Sequence, residues 1–571
     1  MDSSRDIIAR VLNLVSDRLF RSYSTMSQTL HATPLPMLTR SESGTSSSRY
    51  TGAGTPASST SSATDVEDSF QKSRSPSPRS CGRPLPTLEE PSPSAAPRCD
   101  TLIFDLGDVL FTWSAETKTT ISPKLLHKIL RSATWFAYEK GDLGEEECYA
   151  LVANEFGVPA SEVAAAFQGA RDSLKGSPDM INLIRALKLA SPHLRVFAMS
   201  NISAPDWAVL RGKAPAEEWA LFDRVFTSAE ARERKPNLGF YRHVLATTGV
   251  DPLQAAFVDD KLENVLSARS VGLHGVVFDS FESVSKQLWN LVSDPRERAL
   301  RYLDANAKRL DSVTDTGIVL RENFAQLLIL EATGNRELVN YVEHPRLFNF
   351  FQGEGVFTTA QFPCDLDTTS IGLTVAPHID DATKRSVMDE MVTYLNKDGI
   401  IQTYFDRSRP RIDPIVCINV LTLFHSNGRG DELAATLDWV YDNLQHHAYK
   451  DGTYYYYGPD TFLFFLSRLM SVSPTVHARF APLFSRRVLE RFGAEGDAMA
   501  LAMRIIAASK VQFCDTVDYQ RLLDMQEVDG SWPVGWVYKY GGADIVIGNK
   551  GLTTALAIEA VEAVRSLHAV L

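Results

Sequence analysis

At 571 residues the chain has room for roughly three to four domains, and 44% apolar residues with 29 Phe, 18 Tyr and 8 Trp suffice for large cores. A net charge of −12 with no cluster of Lys and Arg excludes a nucleic-acid-binding surface. Six cysteines scattered without a C-x-x-C exclude a disulfide framework and a zinc site, and leave the reduced cytoplasm as the expected compartment. No apolar run approaches the ~18 residues of a membrane-crossing helix, and no secretory pattern opens the chain.

Residues 5–21 carry the apolar spacing of a short amphipathic helix (Ile7, Ile8, Val11, Leu12, Val15, Leu19), expected over 1–21 and expected to dock on a later domain. From 22 to 97 Ser, Thr, Pro and Gly dominate. Too few large apolar groups remain there to offset ordering entropy, so the segment reads as a disordered linker. At Thr101 the character changes. Leu102-Ile103-Phe104 reads as a short buried strand ending in Asp105-Leu106-Gly107-Asp108, and a helical stretch follows at about 123–190. Val196 to Met199 is a second strand ending in Ser200-Asn201. Arg234-Lys235-Pro236-Asn237 comes after a further helix and strand, and Ala256-Phe257-Val258 is a strand ending in Asp259-Asp260. Polar groups thus follow strand ends in an alternating strand and helix pattern, where open parallel sheets bind ligands.

Four separated motifs in this order resemble the haloacid dehalogenase-like superfamily, which predicts an α/β Rossmannoid domain over 98–290 with a helical cap at about 123–190. The resemblance implies that Asp105 is a nucleophile taking up a phosphoryl group, and that Ser200, Asn201 and Lys235 hold the phosphoryl oxygens. It implies Mg²⁺ held by Asp105, Asp259 and Asp260, with Gly107 in the same loop. The residue types suit the chemistry, because a carboxylate attacks phosphorus only when cations neutralise the charge on both partners. Gly107 departs from the pattern: the usual second Asp, a general acid, is absent, and Asp108 is the candidate substitute. Asp259-Asp260-Lys261-Leu262-Glu263 also matches the D-D-x-x-E metal motif of ionisation-type terpene synthases. That reading is set aside because the motif follows a buried strand and not a long helix.

Beyond about residue 291 strand signals nearly vanish and helical apolar spacing dominates. The turns Asp398-Gly399, Asp451-Gly452 and Asp529-Gly530 recur after helices, which predicts stacked helical hairpins closing as an all-α barrel over 291–571. Within it, Asp365-Leu366-Asp367-Thr368-Thr369 sets two carboxylates two residues apart between apolar runs. Read alone, this stretch is most simply a helix N-cap. The same spacing also suits a Brønsted acid, since burial and a neighbouring carboxylate both raise a carboxyl pKa.

The pentad resembles the D-x-D-T-T acid motif of class II terpene cyclases, and Gln526-Glu527-Val528-Asp529-Gly530-Ser531-Trp532 resembles their Gln-and-Trp turns. Joined to a haloacid dehalogenase-like domain, the whole resembles the fungal drimane-type sesquiterpene synthases. That resemblance implies farnesyl diphosphate as substrate, Mg²⁺ as cofactor, Asp367 as the proton donor, Asp365 as its tuning neighbour, and Thr368 and Thr369 as motif residues. It also implies a bicyclic drimane-type diphosphate as product, dephosphorylated by the first domain or by a separate phosphatase before tailoring oxidases act. A growing cation tolerates nothing more nucleophilic than an aromatic face. Candidates are Phe357, Phe362, Trp439, Tyr454, Tyr455, Tyr456, Tyr457, Phe462, Phe464, Phe465, Trp532, Trp536, Tyr538 and Tyr540, of which about a quarter are expected to line the pocket. Arg407, Arg409, Arg411, Lys539 and Lys550 are the cations available to a diphosphate. The alternative function is a phosphatase of small phosphate esters whose helical half binds a partner.

Overall fold

The computed structural model describes residues 98–540 and 544–570; the helix expected over 1–21 and the linker expected over 22–97 lie outside them. The first domain is built on five parallel strands, β1 (Thr101–Phe104), β4 (Arg195–Ser200), β5 (Arg224–Thr227), β6 (Ala255–Asp259) and β7 (His274–Val277), in the order β5-β4-β1-β6-β7. β1 is central and buried on both faces, as its unbroken run of apolar side chains requires. Asp105 directly follows β1, and its backbone N–H continues the ladder by donating to the Val258 carbonyl at 2.8 Å.

A two-stranded antiparallel ribbon, β2 (Phe111–Thr112) and β3 (Lys175–Gly176), leads into and out of the cap. The cap has its own core, in which Trp135 stacks on Phe167 at 4.0 Å between ring centroids. The expected cap range of 123–190 is too long at its far end. The helix Pro178–Ala190 buries Met180, Leu183, Ile184 and Leu187 against the sheet residues Leu102, Phe104 and Val196, so it belongs to the α/β layer. Periodicity showed a helix there, but not the surface that its apolar stripe covers.

In the second domain the helices Asn323–Thr333, Leu366–Val375, Pro414–Ser426, Pro459–Val472, Ala498–Ser509 and Lys550–Val570 pack each on the next and the last on the first, closing an inner ring. Outer helices such as Ala434–Gln445, Pro474–Leu489 and Thr516–Met525 cover them, giving the α/α barrel. Gly399, Gly452 and Gly530 adopt φ of +75°, +80° and +91°, the left-handed turn geometry the Asp-Gly pairs imply. The domain is not purely helical: β8 (Ser312–Thr314), β9 (Val319–Leu320), β10 (Gly535–Lys539) and β11 (Val546–Asn549) form a sheet in the order β10-β11-β8-β9. Strands of two to five residues gave no readable alternation.

The Gln-and-Trp turn is structural. Trp532 is fully buried and donates Nε1–H to the Leu522 carbonyl at 2.6 Å, while Gln526 Nε2 donates to the carbonyls of Pro295 and Gly530, both at 2.8 Å. The first domain docks here, through Asn290 Nδ2 to the Gln526 carbonyl at 3.0 Å and Lys286 to Glu527 at 3.0 Å. A Cβ at Gly530 would run into the Arg298 carbonyl as well as strain the φ of +91°. Gly530→Ala is therefore expected to lower the unfolding free energy by about 1–3 kcal/mol in urea titrations. Gly107→Ala, where an added Cβ meets no atom within 4 Å, is expected to leave stability unchanged.

Candidate active sites

In the first domain Lys235, 1% exposed, donates to Asp259 Oδ2 at 2.7 Å and to Asp105 Oδ1 at 2.9 Å. Asn264 Nδ2 and the Lys261 N–H also donate to Asp259. Burial presses against ionisation at both carboxyls, but these partners hold Asp259 below the usual carboxylate range. For Asp105, burial outweighs Lys235, the Asp259 charge adds to it, and the pKa rises to about 7. Asp259 thus keeps the charge that the shared lysine can balance.

Carboxylate oxygens of Asp105, Asp259 and Asp260 lie within 4.8 Å of one another. Asp260 Oδ1 is buried without a hydrogen-bond partner, its closest cation being Lys261 Nζ at 3.9 Å. Three carboxyls, one of them with an unpartnered oxygen, suit a hard divalent cation. Asp108 is exposed on the loop at φ +58°, with its N–H bonded to the Phe111 carbonyl at 2.7 Å, and its charge adds to the burial that raises the Asp260 pKa. Both polar atoms of the Asn201 side chain bond the Lys235 backbone, at 2.8 Å each. It holds the lysine in place. Ser200, Asn201 and Gly107 line a cavity of roughly 180 Å³ walled by Phe111, Trp113, Trp135 and Phe167, so the missing Asp side chain leaves open space under an aromatic cap.

In the second domain the cap reading holds for Asp365, and Asp367 has the buried surroundings that the acid reading requires. Asp365 is the N-cap of helix Leu366–Val375, accepting the Thr368 N–H at 2.5 Å, while its Oδ2 is buried and unpartnered. Thr369 pins the preceding loop, accepting from the Phe348 N–H at 3.0 Å and donating to the Phe348 carbonyl at 3.2 Å. Asp367, in the first turn, receives Asn419 Nδ2–H on Oδ1 at 2.7 Å and the Tyr456 hydroxyl on Oδ2 at 2.5 Å. Burial raises its pKa to about 8, with the Asp365 and Asp413 charges adding to it and the Tyr456 and Asn419 bonds opposing. Burial also raises Asp365 to about 7 against its backbone hydrogen bonds. Tyr456, Tyr538 and Cys417, the other titratable groups facing Asp367, are pushed well above their ordinary values by burial and stay neutral.

Asp365, Asp367 and Thr368 line a cavity of roughly 400 Å³, within the ~300–1,000 Å³ range of small-ligand pockets. Its wall is a continuous belt of aromatic contacts running Tyr456, Phe324, Tyr538, Phe350, Phe351, Phe362, Tyr404, Tyr455, Tyr454, with centroids 4.8–6.1 Å apart. Half of the fourteen aromatic candidates line the cavity, twice the expected share, and Phe324, Phe350, Phe351 and Tyr404 join them unforeseen. Of the five candidate cations, Arg409, Arg411 and Lys539 line it, all more exposed than the buried acid. Arg407 instead lies over Tyr394 at 5.1 Å and Lys550 pairs with Asp529 at 3.3 Å.

These features define a two-domain enzyme: a haloacid dehalogenase-like hydrolase domain joined to an α/α-barrel domain of the class II terpene cyclase type. A family model described as the sesquiterpene cyclase astC-like C-terminal domain matches residues 296–427. The drimenol cyclase drtB of Aspergillus calidoustus is 45% identical over 463 residues, 81% of this chain and 87% of its own. The sesquiterpene phosphatase astK of Aspergillus oryzae is 40% identical over 190 residues, 33% of this chain and 95% of its own. Among solved structures, a HAD-like family hydrolase from Porphyromonas gingivalis matches 32% of this chain and 91% of its own at 23% identity and a TM-score of 0.27. The chain belongs to the family of drimane-type sesquiterpene synthases with a fused haloacid dehalogenase-like domain. Among the described residues no helix is long and apolar enough to cross a membrane.

The raised pKa of Asp367 has a consequence for stability. In the unfolded chain this carboxyl ionises near 3.8, in the folded protein at about 8, so the folded state holds the extra proton in between. Its contribution is complete below about pH 4 and is lost as the pH climbs through 8. Asp367→Asn, which cannot ionise, is expected to melt several degrees above the wild type at pH 8, with an advantage that shrinks at pH 5 and vanishes only below about pH 4, in thermal melts across the range.

Proposed function

We propose that the second domain protonates and cyclises farnesyl diphosphate to a bicyclic drimane-type diphosphate, and that the first domain hydrolyses this product to the alcohol. The observation that carries it is Asp367, a carboxyl held neutral at the wall of an aromatic cavity in a chain 45% identical to a drimenol cyclase.

Arg409, Arg411 and Lys539, at the more exposed part of the wall, receive the diphosphate by charge-assisted hydrogen bonds. The hydrocarbon folds within the aromatic belt. Asp367 gives its proton to the terminal alkene, whose π electrons form the new C–H bond and leave a tertiary cation. Two ring closures move the charge inward, and loss of a neighbouring proton leaves an alkene with the diphosphate intact. Each aromatic face stabilises the passing charge by about 0.5–2 kcal/mol without forming a bond. A cavity lined by rings also keeps out water that would trap the cation early.

The product still carries its phosphate ester, which sets the task of the first domain. Asp105 attacks the terminal phosphorus and the monophosphate ester leaves; water releases phosphate from the aspartyl phosphate, and a second round on the monophosphate expels the alkoxide, which takes up a proton to become the alcohol. Lys235, fixed through Asn201, and Ser200 hold the phosphoryl oxygens. Mg²⁺ held by Asp105, Asp259 and Asp260 would neutralise charge on the phosphoryl group. The aromatic wall above Gly107 suits an ester with a greasy alcohol.

Incubation of the full chain with farnesyl diphosphate and Mg²⁺ is expected to yield a free bicyclic alcohol. Asp105→Asn is expected to yield the bicyclic diphosphate, visible as alcohol only after added phosphatase, and Asp367→Asn no bicyclic product at all. Cyclisation needs Asp367 protonated, so its kcat is expected to be flat up to about pH 8 and to fall tenfold per unit above it. Farnesol as the sole product, or an Asp367→Asn variant that cyclises, would contradict the proposal.

A further inference from the structure

Behind Asp367 a chain of hydrogen bonds crosses three further inner helices. Asn419, on helix Pro414–Ser426 and 1% exposed, donates Nδ2–H to Asp367 Oδ1 at 2.7 Å, and its Oδ1 accepts from Arg468 Nη1 at 2.9 Å. Arg468, on helix Pro459–Val472, is gripped by Glu331 of helix Asn323–Thr333 through Nε at 3.0 Å and Nη2 at 2.6 Å, and lies 5.3 Å over the Phe465 ring. Asn419, Arg468 and Glu331 do not line the cavity that contains Asp367.

An Asn side chain can present either its oxygen or its nitrogen to a neighbour. A guanidinium only donates and does not give up its charge, so the atom facing Arg468 must be the oxygen. The NH₂ group is therefore turned to Asp367. It too only donates, so Asp367 Oδ1 must act as acceptor. A neutral carboxyl has one proton, which is left to Oδ2, the oxygen shared with the cavity-lining Tyr456.

We propose that Arg468 is a positioning residue for cyclisation: by locking the Asn419 amide it confines the transferable proton of Asp367 to the oxygen on the cavity side. This rests on Asp367 as the acid. Without Arg468 the amide is free to turn its carbonyl to Asp367 and draw the proton onto Oδ1, away from the alkene. Glu331, partly exposed, holds the guanidinium against rotation and can be solvated when Arg468 is removed.

The test is steady-state cyclisation of farnesyl diphosphate by the full chain in Arg468→Met, Arg468→Lys, Asn419→Leu and the Arg468→Met/Asn419→Leu double variant. Arg468→Met is expected to lose about tenfold or more in kcat with KM within about twofold. Its basic pH limb should move upward, because a donor that favours the ionised carboxyl is no longer held in place; Asp365, Asp413, Tyr456, Tyr538 and Cys417 still face Asp367 in all four variants. Arg468→Lys, which keeps a donor, is expected to recover most of the loss. In the Asn419→Leu background Arg468→Met should cost nothing more, a non-additivity that a merely structural arginine would not show. Near wild-type kcat in Arg468→Met, an unmoved pH limb, no recovery by lysine, or additive losses would each overturn the proposal. An Asp367→Asn control separates the two layers: if it cyclises, the acid assignment fails and takes this proposal with it, whereas an inactive control beside an unimpaired Arg468→Met overturns the proposal alone.

Discussion

A carboxyl that stays neutral inside an aromatic cavity is the constraint on which the second domain depends. An ionised carboxylate at Asp367 would need solvation that its buried surroundings do not offer, so the carboxyl keeps its proton at neutral pH. A pKa of about 8 makes Asp367 a weaker acid than free Asp, but one that is loaded at neutral pH. On the proposed mechanism the transfer is productive because of the other partner: the cation formed would lie among ring faces that stabilise it and cannot capture it. The six-helix ring supplies the rigid frame. Asp365, by capping the helix on which Asp367 sits, fixes where that frame presents the acid.

The first domain turns the same residue type to opposite use. Asp105 and Asp259 are as buried as Asp367, but Lys235 lies within 2.9 Å of both, and the cluster of three carboxyls is shaped for a cation. Charge is needed there, on a nucleophile and around a phosphoryl group. In the barrel Asp367 is hydrogen-bonded by a phenol and an amide and faces the carboxyls of Asp365 and Asp413, none of them cationic. One chain thus carries a buried Asp that keeps its proton, Asp367, and a buried Asp that keeps its charge, Asp259, distinguished by whether an ammonium is in reach to outweigh burial. The division suits a sequence in which the first reaction leaves intact the ester that the second removes.

Much of this was legible in the sequence because the informative groups are local. Asp105, Ser200 and Asp259-Asp260 each follow a short apolar strand, so motif and fold signal reinforce one another, and the Asp-Gly turns mark the hairpins of the barrel. The pentad at 365–369 carried two readings, cap and acid; the structure shows the cap at Asp365 and a buried, proton-holding carboxyl at Asp367. What could not be read is whatever long-range packing decides. Asn419 and Arg468 lie on largely apolar helices, with no spacing that ties them to a residue 50 or 100 positions earlier. Phe350, Phe351 and Tyr404 sit outside regular helices, where periodicity is silent, and enter the cavity wall only because the ring closes around them. The helix Pro178–Ala190 was seen correctly as a helix and assigned to the wrong layer, since an apolar stripe does not name its partner.

The most direct measurement is the protonation of Asp367 itself, by infrared difference spectroscopy of the full chain against Asp367→Asn across pH. A protonated-carboxyl band present at pH 7, absent from the variant and titrating away near pH 8 is the expected result. A carboxyl at this position that is already ionised at pH 5 and titrates in the ordinary carboxylate range would contradict the central claim.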